Sequence, residues 1–367
     1  MNKMVVSNLV HRPVRSLISI VAIAVEVTLI LLMVGLATGV LEDSKTRTQG
    51  IGGDVIVQPP GSSFLQGITG APVSIKVAAV LRQLPHVTAV APIVLQISTA
   101  GTVEVIYGID LKSFEELGGP LRYLAGGPFQ SANDVIVDDY FAAANHVRVG
   151  DTIQILNHPF RVSGIVLHGR GARKFLPLET LQDLIGAQGK ASVFYVKLDN
   201  PANASLVVQE VKNVAGMQNY AVRSMRDYLS MMTVTNLPGL SQFIAVVIGV
   251  SVVIGFIVIF QAMYTAVMER TREIGILKSL GASRLYIVNV ILRETLLLTL
   301  LGIVLGIAIS YTARAGIVSR FPTLRVIVPL GWIGYATVIA LLGSFFGAVY
   351  PAIKAARKDP IDALAYE

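Results

Sequence analysis

The sequence predicts a membrane protein with four transmembrane α-helices and a large extracytoplasmic α+β domain between the first and second helices. Its mean hydropathy is +0.65 and only 14% of its residues are charged, whereas soluble domains average about 25%. Four apolar runs each have close to or more than the roughly 20 residues that a helix needs to cross the hydrocarbon core of a bilayer. The long stretch between the first two runs has mixed helix and strand patterns instead.

The first apolar run, residues 17–40, contains one charged residue, Glu26. The second run (240–267) and the fourth (326–353) contain none. The third begins near Tyr286, includes Arg293 and Glu294 early, and is uncharged over 295–313. A cleaved signal peptide is the alternative for the first run, because Lys3, Arg12 and Arg15 precede it. Its apolar stretch exceeds the usual 7–15 residues of such a peptide, so an uncleaved membrane anchor is predicted.

The orientation follows from the basic residues beside the runs, because Lys and Arg mark the cytoplasmic side. Basic clusters precede the first run, separate the second from the third and follow the fourth, which predicts that both termini are cytoplasmic. The later two clusters are Arg270, Arg272, Lys278 and Arg284, then Lys354, Arg357 and Lys358. The connection between the last two apolar runs is an exception to this positive-inside rule, because it would lie outside but contains Arg314, Arg320 and Arg325.

The predicted division of the chain follows from the runs and their flanks. It comprises a cytoplasmic N-terminus (1–16), transmembrane helix 1 with a stalk (17–49), the extracytoplasmic α+β domain (50–224), a stalk with transmembrane helix 2 (225–267), a short cytoplasmic helix (268–284), transmembrane helix 3 (285–316), an outer loop (317–325), transmembrane helix 4 (326–353) and a cytoplasmic tail (354–367).

Within the outer domain, apolar alternation and turn residues predict several strands and helices. Ser74 is predicted to cap a helix that ends at Leu84. A hairpin of residues 151–156 and 160–167 is predicted to turn at Asn157 and His158. The other predicted strands are 54–57, 87–97, 103–109 and 193–198, and the other predicted helices are 178–185 and 202–214.

The chain lacks the patterns that carry common catalysis. It has no cysteine, which excludes disulfides and thiolate metal sites. It contains neither a G-x-x-x-x-G-K-[ST] phosphate loop nor an H-E-x-x-H pair, and its five histidines are scattered. We therefore expect no enzyme activity, metal or cofactor in this chain. The net charge of +7 lies largely beside the membrane runs, so no nucleic-acid partner is expected.

The segment between the second and third runs predicts a short helix. The i,i+3 spacing predicts ion pairs of Glu269 with Arg272 and of Arg270 with Glu273. Gly281 is predicted to end this helix in a left-handed conformation. The helix is either a solvated juxtamembrane segment or a docking helix for a cytoplasmic partner. Its apolar side chains are Ile274, Ile276, Leu277 and Leu280.

The tail contains a second helix signal, because Asp359 can act as N-cap with Pro360 at the first helical position. An amphipathic helix this short is marginal in isolation. It therefore needs a membrane or a partner surface.

Several motifs in order resemble the permease subunits of the MacB/FtsX/LolC superfamily (type VII) of ABC transporters. The short helix contains R-T-R-E-I-G-I at residues 270–276, and the tail matches P-A-x-x-A-A-x-x-x-P-I-x-A-L-x-Y-E at residues 351–367. Further similar segments of the outer domain are 134–137, 149–153, 160–165 and 176–180. The resemblance therefore spans nearly the whole chain.

The resemblance implies a homodimer in the bacterial cytoplasmic (inner) membrane that works with ATP-hydrolysing subunits. Residues 268–284 would be the coupling helix. ATP and Mg would bind the partner subunit, and ATP-driven closing would move the outer domains. A fused ATPase domain, which MacB itself has, is absent from this sequence, so a separate ATPase is expected and macrolide specificity is not carried over. The residues expected to contact the ATPase are Arg272, Glu273, Ile274, Ile276, Leu277 and Leu280.

Two functions remain open at this stage. In the first, the complex exports or extracts a hydrophobic or amphiphilic cargo, such as a drug, lipid, lipoprotein or peptide, and uses a periplasmic adaptor protein. In the second, it is an FtsX-like regulator that activates a cell-wall hydrolase without transport.

Other candidate residues lie outside the short helix. Glu26 is costly within a membrane span and is either a packed, protonated side chain or a polar contact between helices or to a cargo headgroup. Arg170, Arg173 and Lys174 form a basic loop, which is either a solvated hairpin tip or a contact for anionic lipid or an acidic partner. G-x-x-x-G pairs in three of the runs predict close helix packing.

Overall fold

The computed structural model describes residues 13–62, 71–98, 104–237 and 239–358. Its described residues divide into two compact units. The membrane unit contains residues 13–39, 239–320 and 326–358, and the outer unit contains residues 40–237 and 321–325 apart from the undescribed stretches. The basic residues Lys3 and Arg12 and the predicted tail helix after Lys358 lie outside the described residues.

Four long apolar helices account for the membrane unit and confirm the predicted spans. Each is long and apolar enough to cross a bilayer. A fifth, short helix, α9, lies between the second and third of them. The helices are α1 (Pro13–Gly50), α8 (Leu240–Glu269), α9 (Thr271–Ser279), α10 (Arg284–Arg320) and α11 (Leu330–Arg357).

Small residues bring α10 close to α1. A Cβ atom added at Gly302 would lie 2.6 Å from the Cβ of Ile23, and one at Gly306 would lie 2.7 Å from the carbonyl oxygen of Ala24. Thr28 Oγ1 also donates a hydrogen bond to the Gly306 carbonyl at 3.1 Å. This G-x-x-x-G pair therefore serves packing within one bundle, as such motifs commonly do.

The fourth span begins later than predicted, at Leu330 instead of Val326. Pro329 is extended, with ψ of 135°, and the Ile327 amide donates to the Gly35 carbonyl of α1 at 2.9 Å. Because the Ile327 amide bonds to a neighbouring helix, it does not need a partner within α11. The third span continues to Arg320, beyond the predicted end at 316.

The outer unit is an α+β domain, as predicted. Among its described residues, ten strands form one mixed sheet in the order β12-β1-β11-β3-β4-β9-β6-β8-β5, with β7 paired to β8. Two pairs, β4 with β9 and β6 with β8, are parallel. The strands are β1 (Val55–Gln58), β2 (Val73–Ser74), β3 (Val87–Ser98), β4 (Glu104–Ile109), β5 (Tyr123–Gly126), β6 (Asp134–Asp138), β7 (Thr152–Ile155), β8 (His158–Val166), β9 (Lys174–Pro177), β10 (Lys190–Ala191), β11 (Val193–Leu198) and β12 (Ala221–Ser224).

Helices cover both faces of this sheet, so its central strands are buried on both sides. In β11, Val193 and Tyr195 pack into one buried cluster, whereas Phe194 and Val196 pack into another. Residues 55–58 are likewise all buried, which corrects the amphipathic alternation expected for 54–57. The helices are α2 (Val77–Leu81), α3 (Leu111–Gly118), α4 (Asp139–Asn145), α5 (Leu178–Leu184), α6 (Ala204–Asn213) and α7 (Met225–Met231).

The outer unit extends past the predicted boundary at residue 224. Met225 and Tyr228 of α7 are buried in the same cluster as Phe114 and Phe175. Residues 225–237 therefore belong to the outer unit. The predicted stalk was wrong here, because its apolar side chains pack against the sheet.

Two local predictions also need correction. Ser74 lies in β2, and the following helix is the short α2, whose preceding residue Lys76 has no side-chain cap. The β7–β8 hairpin turns at Leu156 and Asn157, one residue earlier than predicted, since Ile155 pairs with His158. Both turn residues have positive φ, at 51° and 64°, as a two-residue hairpin turn of type I′ requires.

Candidate functional site

The short helix α9 has well-defined ends. The Ala282 amide donates to the Leu277 carbonyl, and the Gly281 amide donates to the Lys278 carbonyl, each at 3.0 Å. Gly281 has φ of +92°. This is the Schellman arrangement that ends many helices, and it confirms the predicted role of Gly281. The helix therefore stops at a fixed residue before α10 begins.

The two faces of α9 have different surroundings. Thr271 and Gly275 are buried, and Ile274 and Leu277 pack against the core of the membrane unit. The opposite face is exposed and contains an apolar pair, Ile276 at 45% and Leu280 at 80% exposure, beside Arg272, Glu273 and Ser279. The six residues predicted to contact an ATPase thus separate into four on an exposed face and two that pack inside.

A buried ion pair holds the start of α9 to α10. Arg270 Nη1 lies 2.9 Å from Glu294 Oε2, and the two side chains are 12% and 2% exposed. The sequence predicted Glu273 as the partner of Arg270, and this was wrong. Only the position of Glu294, early in an apolar span, was a signal for its role, because a buried carboxylate needs a partner.

A lysine holds the other end of α9 to α11. Lys278 Nζ donates to the Ala356 carbonyl at 3.1 Å and also to the Lys358 carbonyl. These acceptors are carbonyl groups at the C-terminal end of α11, where a cation is favourable. The two ends of α9 are therefore attached to two different membrane helices.

Between these attachments lies a cavity of about 50 Å³ that α8, α9 and α10 line together. Its wall is mostly aliphatic, and its charged members are Arg270, Glu273 and Glu294. The aliphatic lining residues are Met263, Ala266, Val267, Ile274, Leu277, Ile287, Val290 and Ile291. The inner face of α9 therefore borders an apolar cleft, while its two ends are attached by polar contacts.

Glu26 is buried inside the membrane unit, with 4% of its surface exposed. A Cβ atom added at Gly255 of α8 would lie 2.1 Å from Glu26 Oε2, so the carboxyl group packs directly against this glycine. Glu26 Oε1 has no hydrogen-bond partner among the described residues. This oxygen therefore has no polar partner in the described part of the chain, and the functional role of Glu26 stays a prediction.

Arg173 lies at the centre of an ionic network in the outer unit. Its guanidinium is 3.0 Å from Asp43 and 3.3 Å from Asp138, and it donates to the Thr323 carbonyl at 3.0 Å. Burial raises the pKa of Asp138 to about 6, although the nearby Arg173 charge opposes this shift. Arg173 therefore joins the first helix, the sheet and the segment before α11.

Arg170 and Lys174 also have partners within the chain. Arg170 donates to the carbonyls of Gly50 and Gly119, at 3.0 and 2.6 Å. Lys174 is buried in β9 and pairs with Glu104. The predicted solvated hairpin tip was wrong, because these cations are used to hold the fold together. Little of their surface remains for a lipid or a partner protein.

Among the described residues, no group of three His, Cys, Asp or Glu side chains could hold a metal ion. The exposed face of α9 combines apolar contact area with an arginine and a glutamate at its edge, which suits a protein partner.

In comparisons with known proteins, two family models match successive parts of this chain. Residues 16–214, more than half of the chain, match the family described as MacB-like periplasmic core domain. Residues 245–360 match the FtsX-like permease C-terminal family. The chain therefore belongs to the MacB/FtsX-type permeases of ABC transporters.

Individual relatives agree with this assignment. The macrolide export ATP-binding/permease protein MacB of Shewanella sp. (strain W3-18-1) is 27% identical over 389 residues, which cover 97% of this chain and 59% of that protein. An uncharacterized ABC transporter permease, YknZ, of Bacillus subtilis (strain 168) is 40% identical over 133 residues, covering 35% of this chain and 32% of that protein. The chain thus spans about three-fifths of the length of the MacB relative.

Among solved structures, the periplasmic region of MacB from Actinobacillus actinomycetemcomitans has a TM-score of 0.38 and 20% sequence identity. The match covers 52% of this chain and 97% of that one.

Proposed function

We propose that this chain is the membrane subunit of an ABC transporter in the cytoplasmic membrane, with both termini in the cytoplasm. Two copies act with ATPase subunits, which bind ATP and Mg, and hydrolysis drives motion of the outer units. The cargo is hydrophobic or amphiphilic and is exported or extracted from the membrane. The observation that carries the proposal is the exposed face of α9 between two polar attachments to membrane helices.

The exposed face of α9 would bind the ATPase. Ile276 and Leu280 are one turn apart, and both are exposed. Side chains at the well-packed, desolvated centre of an interface carry most of its binding energy, while exposed charges at the rim contribute less. We therefore assign the main binding contribution to Ile276 and Leu280, and orientation to Arg272 and Glu273.

The attachments of α9 would pass its movement on. Arg270 would displace α10 through Glu294, and Lys278 would displace the end of α11. The chain itself connects α9 to α8, since Arg270 lies directly between these helices. Three of the four membrane helices would thus respond to one contact with the ATPase.

The experiment compares ATPase binding by two paired variants. Ile276→Ala with Leu280→Ala should reduce co-purification of the ATPase from native membranes by at least about tenfold, since a loss of about 1.4 kcal/mol suffices for that. Leu296→Ala with Leu300→Ala is the matched control, because it removes similar aliphatic volume from an exposed face of α10. Equal ATPase recovery in both variants would contradict the docking role of α9.

The same purification tests the outer half of the proposal. A periplasmic adaptor protein or an outer-membrane channel bound to the wild type would support transport. A cell-wall hydrolase in its place would make the complex a regulator, with the same coupling through α9 and no cargo.

A further inference from the structure

An aromatic ladder runs along one side of α8 towards the end that precedes α9. Phe256, Phe260 and Tyr264 follow one another at i,i+4 spacing, with ring centroids 6.2 and 6.0 Å apart and interplanar angles of 19°. Tyr350 of α11 packs on Phe260 with centroids 5.7 Å apart and is itself 57% exposed. The two helices therefore share one aromatic surface, partly exposed at Phe256 and Tyr350, which we call the aromatic groove.

A lysine closes this groove at the end of the helices. Lys354 Nζ donates to the Tyr264 hydroxyl at 2.9 Å and lies 4.7 Å from the centre of that ring. Lys354 and Arg357 are both exposed and lie one turn apart. An ammonium group has three donor hydrogens, so Lys354 can bind a further acceptor while it bonds Tyr264.

The charge at this end of the groove is uniformly positive on α11. Its last turns contain Lys354 and Arg357, followed by Lys358, and Leu330–Arg357 contains no acidic residue. Aromatic side chains and basic residues at the ends of membrane helices lie at the level of the lipid headgroups. The surface thus joins an apolar groove for a chain to a cationic site for a phosphate.

We propose that this groove binds an anionic phospholipid as a lasting partner of the membrane unit. An acyl chain would lie along Phe256, Phe260 and Tyr350, and the phosphate would contact Lys354, Arg357 and the Tyr264 hydroxyl. The positive charge favours a lipid over a second copy of the chain, which would bring the same cations together. The site is separate from the exposed face of α9 and does not depend on ATP.

The test titrates the detergent-purified chain with phosphatidylglycerol or phosphatidylcholine and counts bound lipids by native mass spectrometry, without ATPase or nucleotide. Each basic residue near an anionic headgroup contributes about fivefold in affinity, so Lys354→Gln with Arg357→Gln should weaken phosphatidylglycerol binding about thirtyfold. Phosphatidylcholine binding should change little. Arg293→Gln is the control, because it removes one exposed positive charge elsewhere, on α10, and should leave phosphatidylglycerol binding unchanged.

Further variants keep the test decisive if the double change destabilises the chain. Tyr264→Phe removes only the hydroxyl group and should weaken phosphatidylglycerol binding about fivefold, the typical effect of one hydrogen bond. Unchanged affinity in both variants, or an equal loss with Arg293→Gln, would overturn the proposal. So would efficient disulfide formation between two copies carrying Tyr350→Cys in native membranes, since the wild type has no cysteine and such a bond would place a second copy over the groove.

Discussion

Removal of the carboxylate that binds Arg270 should both destabilise the membrane unit and weaken coupling. In Glu294→Gln, Arg270 keeps a polar neighbour but loses its counter-charge, while its side chain stays 88% buried in the wild-type geometry. Breaking a buried ion pair by removal of one partner costs about 3–5 kcal/mol, whereas polar contacts between membrane helices average only about 0.6 kcal/mol. Because both side chains are almost fully covered, we expect Glu294→Gln to lower the free energy of unfolding by about 3 kcal/mol.

The assay is a double-mutant cycle on the purified full chain. Glu294→Gln, Arg270→Gln and the double variant are unfolded with denaturant, and their free energies of unfolding are compared. The double variant should lose less free energy of unfolding than the two single variants lose together, because it leaves no uncompensated buried charge. Arg293→Gln is the control, since Arg293 is exposed one residue before Glu294 and should change stability by less than about 0.5 kcal/mol.

Coupled ATP hydrolysis is measured on the same variants at equal membrane expression. Glu294→Gln should uncouple hydrolysis from the permease, and the exchanged pair Arg270→Glu with Glu294→Arg should restore part of the coupling. Additive single losses, with an interaction energy below about 0.5 kcal/mol, would refute the view that this pair attaches α9 to α10.

Three other predictions use different parts of the chain. A cysteine at Ser131 should react with an impermeant maleimide in intact cells (spheroplasts where an outer membrane blocks entry), whereas one at Ser279 should react only after lysis. Both serines are exposed. Labelling of the Ser279 position from outside would overturn the predicted topology. Glu26→Gln should preserve assembly but alter coupled activity, since Gln has the shape of a protonated Glu but cannot ionise; full activity in this variant would make Glu26 a packing residue. Because the folded-state pKa of Asp138 is raised to about 6, its contribution to stability is present below pH of about 4 and is lost as the pH rises through about 6. The melting temperature of Asp138→Asn should therefore fall less than that of the wild type between pH 4 and pH 7, and equal falls would contradict the raised pKa.

Features set by local sequence could be predicted closely. The strand Val193–Leu198 has the predicted bounds, because a run of β-branched and aromatic residues between turn signals has few alternatives. Gly281 ends α9 as predicted, and Ser283 caps α10 by accepting from the Tyr286 amide at 3.2 Å. Each of these depends on residues within a few positions of one another.

Contacts between distant segments could not be predicted in this way. Arg270 binds Glu294, 24 positions later, instead of the nearby Glu273. Arg173 finds Asp43, 130 positions earlier, although its Gly-rich surroundings indicated an open loop. A basic residue beside glycines has the same local signal whether it faces water or a folded carboxylate, so only the tertiary fold decides.

Tertiary packing also changed the interpretation of α9 and of Ser44. The sequence pattern predicted four equivalent apolar side chains, at Ile274, Ile276, Leu277 and Leu280. In the structure, Ile274 and Leu277 are partly buried against the core of the membrane unit. Truncating that covered pair would therefore disturb the membrane unit itself. Ser44, which the topology alone places in the outer stalk, is buried at 6% exposure and would label poorly for that reason.

The most direct test of the central claim measures whether ATP turnover moves the outer units. Since the chain has no cysteine, Ser131→Cys accepts a single spin label in each copy, and pulsed electron paramagnetic resonance reports the distance between the two labels in the assembled complex. We predict that ATP with vanadate shifts this distance, and that Ile276→Ala with Leu280→Ala abolishes the shift. An unchanged distance while the wild-type complex hydrolyses ATP would contradict the proposed conversion of hydrolysis into outer motion.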